Sequence, residues 1–551
     1  MMGWGNRKDG DTSNDLMLPT GKYELVNNHS VSSGGKKPMN RYVLACAILA
    51  SMNSIVLGYD GGVMSGAIMF IQEDLHINEE QIEVLIGSLS IVSLLGAAAA
   101  GRTSDAIGRR WTMALTGLIC MLGAGIMGLA QSFFVLMVGR FLGGIGVGFG
   151  LLIAPVYTAE VSPASSRGAL TSLPEIFINV GCLLGYISNY CLSGLPAHIS
   201  WRLMLGVGLV PSVFLALGVL AMPESPRWLV MQNRIEEAAY VLARTSDDQD
   251  EADARLAEIM EAAGVGGNES NNNVEKLGEQ DEIIGVPNSQ ILQKKHHGEG
   301  VWRELLWPTP PLQRMLIIVL GIQFFQQASG IDAIVIYSPV IFKESGIQSQ
   351  AGLLGATVAV GFFKTGFVLV SAFLIDRAGR RPLLLTSALG MTVSFVALAS
   401  GLFLIENTSG SHQGFAFWAM LAVWSYVAFF SIGLGPICWV LSSEIFPLRF
   451  RAQAASLGVA VNRFASGIIT MTFLSLSHSI TIAGTFFLFA GVSLLCAGFV
   501  YIYIPETKGK TLEEIVSFFN KEESERISQG GELELGDTTM LVEKSKILKS
   551  Y

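Results

Sequence analysis

Long apolar runs separated by short polar turns set the plan of this chain. Twelve runs have membrane-spanning length: 42–70, 82–100, 111–130, 133–158, 169–192 and 201–222, then 314–342, 351–375, 383–405, 415–443, 453–477 and 481–504. A helix crosses a bilayer core with about 20 apolar residues, and in hydrocarbon it must satisfy its own backbone polar groups. The pattern predicts an all-α membrane protein with twelve transmembrane helices in two six-helix sets. The first run is longer than a crossing needs, so it should tilt or protrude. Its Gly58, Gly61, Gly62 and Gly66 let a neighbouring helix or a ligand approach the backbone.

Composition agrees with this reading and sharpens it. The chain has 551 residues, 50% hydrophobic and 15% charged, with a mean hydropathy of +0.48. Soluble domains carry roughly 25% charged residues, so a soluble globular fold is excluded. The net charge of −9 says little, because the acids crowd into the middle segment and the tail. Residues 1–41 are polar and show no apolar core or cleavage site of a signal peptide. All six cysteines fall in apolar runs and read as small buried residues rather than disulfides or metal ligands. No metal-binding spacing stands out, so no metal and no cofactor are expected.

Arginines follow the even-numbered runs: Arg102, Arg109 and Arg110, then Arg167, then Arg377, Arg380 and Arg381, then Arg449 and Arg451. The turns between, such as 72–81, carry almost no positive charge. By the positive-inside rule both termini and the middle segment are cytosolic. The expected organisation is a cytosolic tail (1–41), a six-helix bundle (42–222), a cytosolic linker with short helices (223–313), a second bundle (314–504) and a cytosolic tail (505–551). Within the linker, 247–263 reads as a charged amphipathic helix and 264–273 as a Gly/Asn-rich flexible stretch. Lys294-Lys295-His296-His297 reads as solvated linker. Asn407-Thr408-Ser409 falls on the expected outer side as a glycosylation sequon, in a loop short enough that an unmodified Asn407 is an equal expectation.

Three signatures occur once in each half, in the same order. Asp105-Ala106-Ile107-Gly108-Arg109-Arg110 is echoed by Asp376-Arg377-Ala378-Gly379-Arg380-Arg381. Glu160 with Arg167 is echoed by Glu444 with Arg451, and Pro223-Glu224-Ser225 by Pro505-Glu506-Thr507. Two homologous halves are the plan of a rocking transporter, with the ligand site at the midplane between them. Each signature pairs an acid with arginines at the cytosolic mouth. Topology alone needs no acids, so these residues are read as a cytosolic gate of ion pairs that hold one conformation and break in the other.

The most demanding residue is Asp60, inside the first run. A charge at that depth costs about 2.5–3.5 kcal/mol by insertion scales. It needs a partner, a proton or a water-filled cavity.

Together, the doubled Asp-x-x-Gly-Arg-Arg, Pro223-Glu224-Ser225-Pro226-Arg227-Trp228, Gln326-Gln327-Ala328-Ser329-Gly330-Ile331-Asp332 and Pro505-Glu506-Thr507-Lys508-Gly509 resemble the sugar porter family of the major facilitator superfamily. The resemblance covers about 42–515. The Gly-Tyr-Asp of the first run and the Gly-Ile-Asp of the seventh look most like plant polyol/monosaccharide proton symporters. The resemblance implies that Asp60 is the proton-coupling carboxylate and that Arg140 in the fourth run is its partner. It also implies that Gln326, Gln327, Asp332, Tyr337, Trp439 and Asn462 line a sugar pocket. Amides and carboxylates suit a polyhydroxylated ligand, and an indole suits its C–H faces.

Hexose carriers of this family place Gln where Glu175 stands and Asn where Asp332 and Lys364 stand. The spans therefore hold the acids Asp60, Glu175 and Asp332 and the bases Arg140, Lys364 and Arg463. Such a balance suits a low-dielectric interior. Glu175, Asp332 and Lys364 are read as a charged substrate site; Arg463 is read as an interior ion-pair member without a further role. The leading function is proton-coupled symport of linear polyols and monosaccharides at the plasma membrane, or alternatively the vacuolar membrane. The expected partners are substrate, proton and bilayer, with no nucleic acid. An uncoupled facilitator of hexoses or inositol is the close alternative, separable by pH dependence and current. A non-transporting sugar receptor would favour a longer cytosolic tail. No nucleotide loop or nucleophile–base arrangement suggests an enzyme.

Overall fold

A computed structural model describes residues 40–163, 170–263, 299–407, 413–447, 450–508 and 518–519. The described secondary structure is helical, and twelve helical spans are long and apolar enough to cross a membrane. The first bundle holds α1 (Arg41–Leu75), α2 (Glu79–Ile107), α3 (Arg109–Gly128), α4 (Phe133–Val161), α5 (Leu173–Leu192) and a sixth span made of α6 (Ala197–Gly206) and α7 (Leu209–Leu220). Three short helices follow: α8 (Pro226–Met231), α9 (Ile235–Thr245) and α10 (Gln249–Ala263). The second bundle is introduced by α11 (Glu299–Leu306). It then holds α12 (Pro310–Ala328), α13 (Ile331–Glu344), α14 (Gln350–Ala378), α15 (Arg380–Asn407), α16 (Gln413–Ile432), α17 (Leu434–Glu444), α18 (Arg451–Ile480) and α19 (Ile482–Tyr503).

The helices start where local chemistry favours it. Asn78 accepts from the Gln81 amide and Gln81 reaches back to Asn78, a capping box that opens α2. Ser132 and Ser349 cap α4 and α14 in the simpler way. α1 runs to Leu75, longer than the expected apolar run, because its last turn stays helical through Glu73 and Asp74. Asp74 is then held by Trp201 Nε1 and Arg202 Nη1, each 3.0 Å away.

Small residues decide how the first bundle packs. Along one face of α1, an added Cβ at Gly58 would overlap the Ile178 carbonyl, and one at Gly62 the Cys182 carbonyl. Gly181 and Gly185 of α5 face back against Ile55, Tyr59 and Val63. Backbone therefore meets backbone along the α1–α5 contact. A Cβ added at Gly61 would meet no atom within 4 Å, so this glycine takes no part in that packing.

The seventh span is broken. Ser329 ends α12, and Gly330 turns with φ +82° before α13 begins. That backbone conformation is costly for residues with a Cβ, and a Cβ there would also press on the Phe489 ring at 3.1 Å. The break sets Gln326 and Gln327 at the end of one helix and Asp332 at the start of the next.

The two halves meet from the middle of the bundle toward the face opposite the Gly-Arg-Arg turns. Tyr186 Oη donates to the Val335 carbonyl at 2.9 Å, and Thr365 Oγ1 donates to the Asn179 carbonyl at 3.2 Å. Tyr186 and Leu183 also close over Gly361.

The expected helix at 247–263 is α10, and the linker also contains α8, α9 and α11. Trp228, Leu229 and Val230 of α8 bury against Ala238 and Val241 of α9 in a small core of their own. Arg255 of α10 donates to the Glu160, Val161 and Ser162 carbonyls at the end of α4, fastening this unit to the first bundle. Residues 264–273, the 294–297 Lys/His run, Thr408-Ser409 of the sequon and the tail beyond 519 lie outside the described residues. Five cysteines are buried and unpaired. Cys191, expected to be buried, is exposed because it sits in the last turn of α5 on its outer side.

Candidate functional site

Asp60 lies off the glycine face of α1 and meets Arg140 of α4, Nη1 to Oδ2 at 2.5 Å. Arg140 also donates from Nε to the Leu85 carbonyl at 3.1 Å, so α2 helps to aim it. Its side chain is 1% exposed and that of Asp60 is 15% exposed. Burying a lone arginine here would be prohibitive; burying it with a carboxylate and a carbonyl is tolerable. Both residues fall inside apolar runs of the sequence, and the fold brings them together.

The amides of the second half form one network. Asn462 Nδ2 donates to Gln326 Oε1 at 2.6 Å and to Gln323 Oε1 at 2.9 Å. Gln326 Nε2 donates to the Gly435 carbonyl at 2.9 Å, across the start of α17. Arg463 donates from Nη2 to Asn462 Oδ1 at 2.7 Å. With its nitrogen toward Asp332 Oδ2 (3.0 Å), the Gln327 amide accepts from Arg463 Nη2 at 2.8 Å. That orientation leaves one oxygen–oxygen approach to Asn462, whereas the other sets two like groups against each other, so we adopt it. Among the described residues Arg463 thus contacts amide oxygens and no carboxylate within 4 Å, which corrects the ion-pair expectation from sequence. Gln323 was missed. It is wholly buried and one helical turn before Gln327, and that spacing is the signal that would have found it.

The other expected pocket residues stand differently. Trp439 of α17 is half-buried. Tyr337 is wholly buried, its hydroxyl donating to the Thr470 carbonyl at 3.0 Å and its ring stacked on Phe473 at 5.0 Å. Glu175, in the first turn of α5, accepts from Asn179 Nδ2 at 3.3 Å. The Asn179 carbonyl receives Thr365, the residue after Lys364, so α5 brings Glu175 toward the lysine. Lys364, Arg463 and Asp332 are the charges that act on Glu175. Lys364 is 9% exposed and makes no ion pair within 4 Å among the described residues. A nearly buried lysine with no carboxylate in contact pays a desolvation cost that a neighbouring acid or a bound polar group would offset.

At the face bearing the Gly-Arg-Arg turns, the repeat is visible atom by atom. Glu224 accepts from the Arg109 and Arg110 backbone N–H groups at 2.9 and 3.1 Å, capping α3 from a distant loop. Glu506 does the same for Arg380 and Arg381 at 3.0 and 3.1 Å, capping α15. A carboxylate at a helix N-terminus gains from the macrodipole and from charge-assisted bonds. Gly108 and Gly379 both have φ +95°, and a Cβ on either would run into its glutamate. Arg109 further pairs with Asp105 and Glu160, each at 3.1 Å, and Arg380 with Glu444 at 3.0 Å. Ser225 and Thr507 donate to Glu160 and Glu444 respectively. Arg167 and the side chains of Asp376 and Arg451 lie outside the described residues. Each of these networks is built from residues of one half.

Among the described residues, no group of three or more His, Cys, Asp or Glu side chains is placed to hold a metal ion.

Residues 46–519 match the family model described as "Sugar (and other) transporter". The chain is 51% identical to "Probable polyol transporter 4" of Arabidopsis thaliana, over 98% of this chain and 96% of that relative. It is 54% identical to "Polyol transporter 5" of the same plant, over 87% of each chain. Its fold is similar to the solved proton:xylose symporter XylE bound to 6-bromo-6-deoxy-D-glucose, with a TM-score of 0.70 and 26% identity, over 87% of this chain and 99% of that one. Twelve spans, two capped repeats and these matches lead to one conclusion: the chain belongs to the sugar transporter family of the major facilitator superfamily.

Proposed function

We propose that the protein carries linear polyols and monosaccharides across a membrane together with protons, by alternating access. The observation that carries this reading is the Asp60–Arg140 pair inside one half, together with an amide and carboxylate cluster inside the other. The relatives named as polyol transporters and the proton:xylose symporter support it.

Asp60 is the proton acceptor and Arg140 its partner. Protonation removes the charge that holds the arginine, and the pair separates. Gln326, Gln327, Asp332, Asn462 and Trp439 receive the substrate from the second half, with Tyr337 behind them and Glu175 and Lys364 facing them. Charge-assisted bonds from Asp332, Glu175 and Lys364 are roughly twice as strong as neutral ones. They offset the rotational freedom a flexible linear polyol loses on binding. Contacts between the halves run from the middle toward one face, which fits a carrier closed to the outside. Asp105, Arg109, Arg110, Glu160, Arg167 and Glu224, with Asp376, Arg380, Arg381, Glu444, Arg451 and Glu506, form the cytosolic gate. The termini are cytosolic, and the plasma membrane is the expected site. A proton's charge crossing the potential releases about 2.3 kcal/mol per 100 mV, which drives uptake against a gradient.

Substrate-induced current for sorbitol, mannitol, xylitol, myo-inositol and glucose at two external pH values tests this. Inward current larger at the acidic pH and lost in Asp60→Asn is expected. Transport without current, indifferent to pH and surviving Asp60→Asn, would show an uncoupled facilitator instead.

A further inference from the structure

Along the contact of α2 with α18, polar side chains reach across between the halves in a regular register. Glu79 meets His478 at 2.7 Å at the outer end. One turn deeper, Glu83 accepts from the Ser475 backbone N–H at 2.8 Å and from its hydroxyl at 2.5 Å. Deeper still, Gly87 receives Met471 and Gly467 receives Ile91, each filling the space a Cβ would need. At the inner end, the Ser90 and Ser466 hydroxyls lie 3.0 Å apart. Ser466 is also 2.5 Å from Asp332 Oδ2.

The proton positions follow from the donor inventory. A hydroxyl has one proton, and an ionised carboxylate only accepts. Ser466 therefore gives its proton to Asp332, and Ser90 gives its own to Ser466. Other serines of α2 behave differently: Ser88 and Ser93 donate to carbonyls of their own helix. Ser90 points across the interface. Its proton occupies the acceptor side of Ser466 and so turns the Ser466 proton onto Asp332. Asp332 Oδ2 is then held by Ser466 and Gln327, which leaves Oδ1 for a ligand hydroxyl.

We propose that Ser466 is a positioning residue that ties Asp332 to closure of the outer face through Ser90. Only with α2 against α18 does the relay Ser90–Ser466–Asp332 exist, so Asp332 is fully oriented only in the outer-closed state. Coupling of this kind is reciprocal: a substrate that engages the oriented carboxylate favours the closed face by the same factor. This rests on the reading of Asp332 as a substrate-binding group.

Two readouts test it in the full-length protein. One is the KM for sorbitol in proteoliposomes. The other is the distance distribution between nitroxide labels at Glu80→Cys and Ser479→Cys, on a Cys191→Ser background, with and without sorbitol. In the otherwise unaltered labelled protein, sorbitol is expected to shift the pair to the short distance. Ser90→Ala should abolish that shift, and Ser466→Ala should abolish it and raise KM about tenfold, as loss of a hydrogen bond to a charged group implies. Ser466→Thr, which keeps the hydroxyl, should restore both and shows that folding is intact. A Ser90→Ala protein that closes on sorbitol like the parent overturns the relay alone. Asp332→Asn with an unchanged KM overturns the substrate role of Asp332 and the relay with it.

Discussion

Arg140 and Asp60 touch at 2.5 Å, yet the arginine side chain is 1% exposed and the aspartate 15%. Among the described residues the cation is held by two helices and the acid by one contact. In the proposed cycle the more exposed acid is the member that exchanges with solvent, and the arginine is the fixed post. Asp60→Asn leaves that post unpaired in a buried site, at a cost of about 3–5 kcal/mol. We expect a clear fall in the Tm of the purified protein, largely recovered in the double variant Asp60→Asn/Arg140→Gln. Equal Tm values for single and double variants would show that the pair is not coupled.

Two glycines three residues apart should respond oppositely. Gly58→Ala drives a Cβ into the Ile178 carbonyl, and overpacking costs about 1–3 kcal/mol, with rigid backbone contacts at the upper end. Gly61→Ala meets nothing within 4 Å and gains helix propensity, up to about 1 kcal/mol. Thermal unfolding in detergent separates them: a sharply lowered Tm for Gly58→Ala and an equal or higher one for Gly61→Ala.

The two Gly-Arg-Arg turns should be equally intolerant of a side chain. Gly108→Ala and Gly379→Ala each combine φ +95° with a collision against Glu224 or Glu506. Strained backbone of this kind costs about 1–3 kcal/mol. Glu224→Gln and Glu506→Gln keep the shape and lose the charge, for about 0.3–1 kcal/mol at a helix terminus. The expected order of Tm is parent, then the glutamines, then the alanines, in both halves alike.

Lys364→Asn removes a nearly buried ammonium and restores the residue that hexose carriers place there. We expect sorbitol affinity to weaken by about tenfold or more, since bonds to charged groups are worth about 1.5–3 kcal/mol, with glucose uptake changed less. Competition uptake with both substrates reads this directly. Equal uptake of both by the variant and the parent would make Lys364 a structural counter-charge.

The spans were legible because a bilayer imposes a simple rule on composition, and all twelve fall close to the predicted runs. Asp60 was legible because charge in hydrocarbon needs a reason, whereas Arg140 was named as its partner only through the family resemblance. Gln323 and Ser466 were not, because an amide or a hydroxyl in a transmembrane helix is common and gains meaning only from what it faces. Arg463 was misjudged for a related reason: sequence shows its charge but not that its neighbours are amide oxygens. Short helices were expected in the linker, but the positions of α8, α9 and α11 were not, because docking rather than local pattern stabilises them.

On the proposed alternating-access cycle, the α2–α18 seam bears on the speed at which the carrier turns over. Its ties are carboxylate-to-hydroxyl, serine-to-serine and histidine-to-glutamate. Each is a bond that water can replace when the seam parts, so each exchanges for a net cost of only about 0.5–1.5 kcal/mol. Met471 and Ile91 are large apolar side chains that cross the same contact, each seated over a glycine of the other helix. A seam closed mainly by such groups would expose far more apolar surface at every cycle. On the proposed alternating-access cycle, largely polar ties keep the closed and open forms within a few kcal/mol of each other, so that thermal motion carries the molecule both ways.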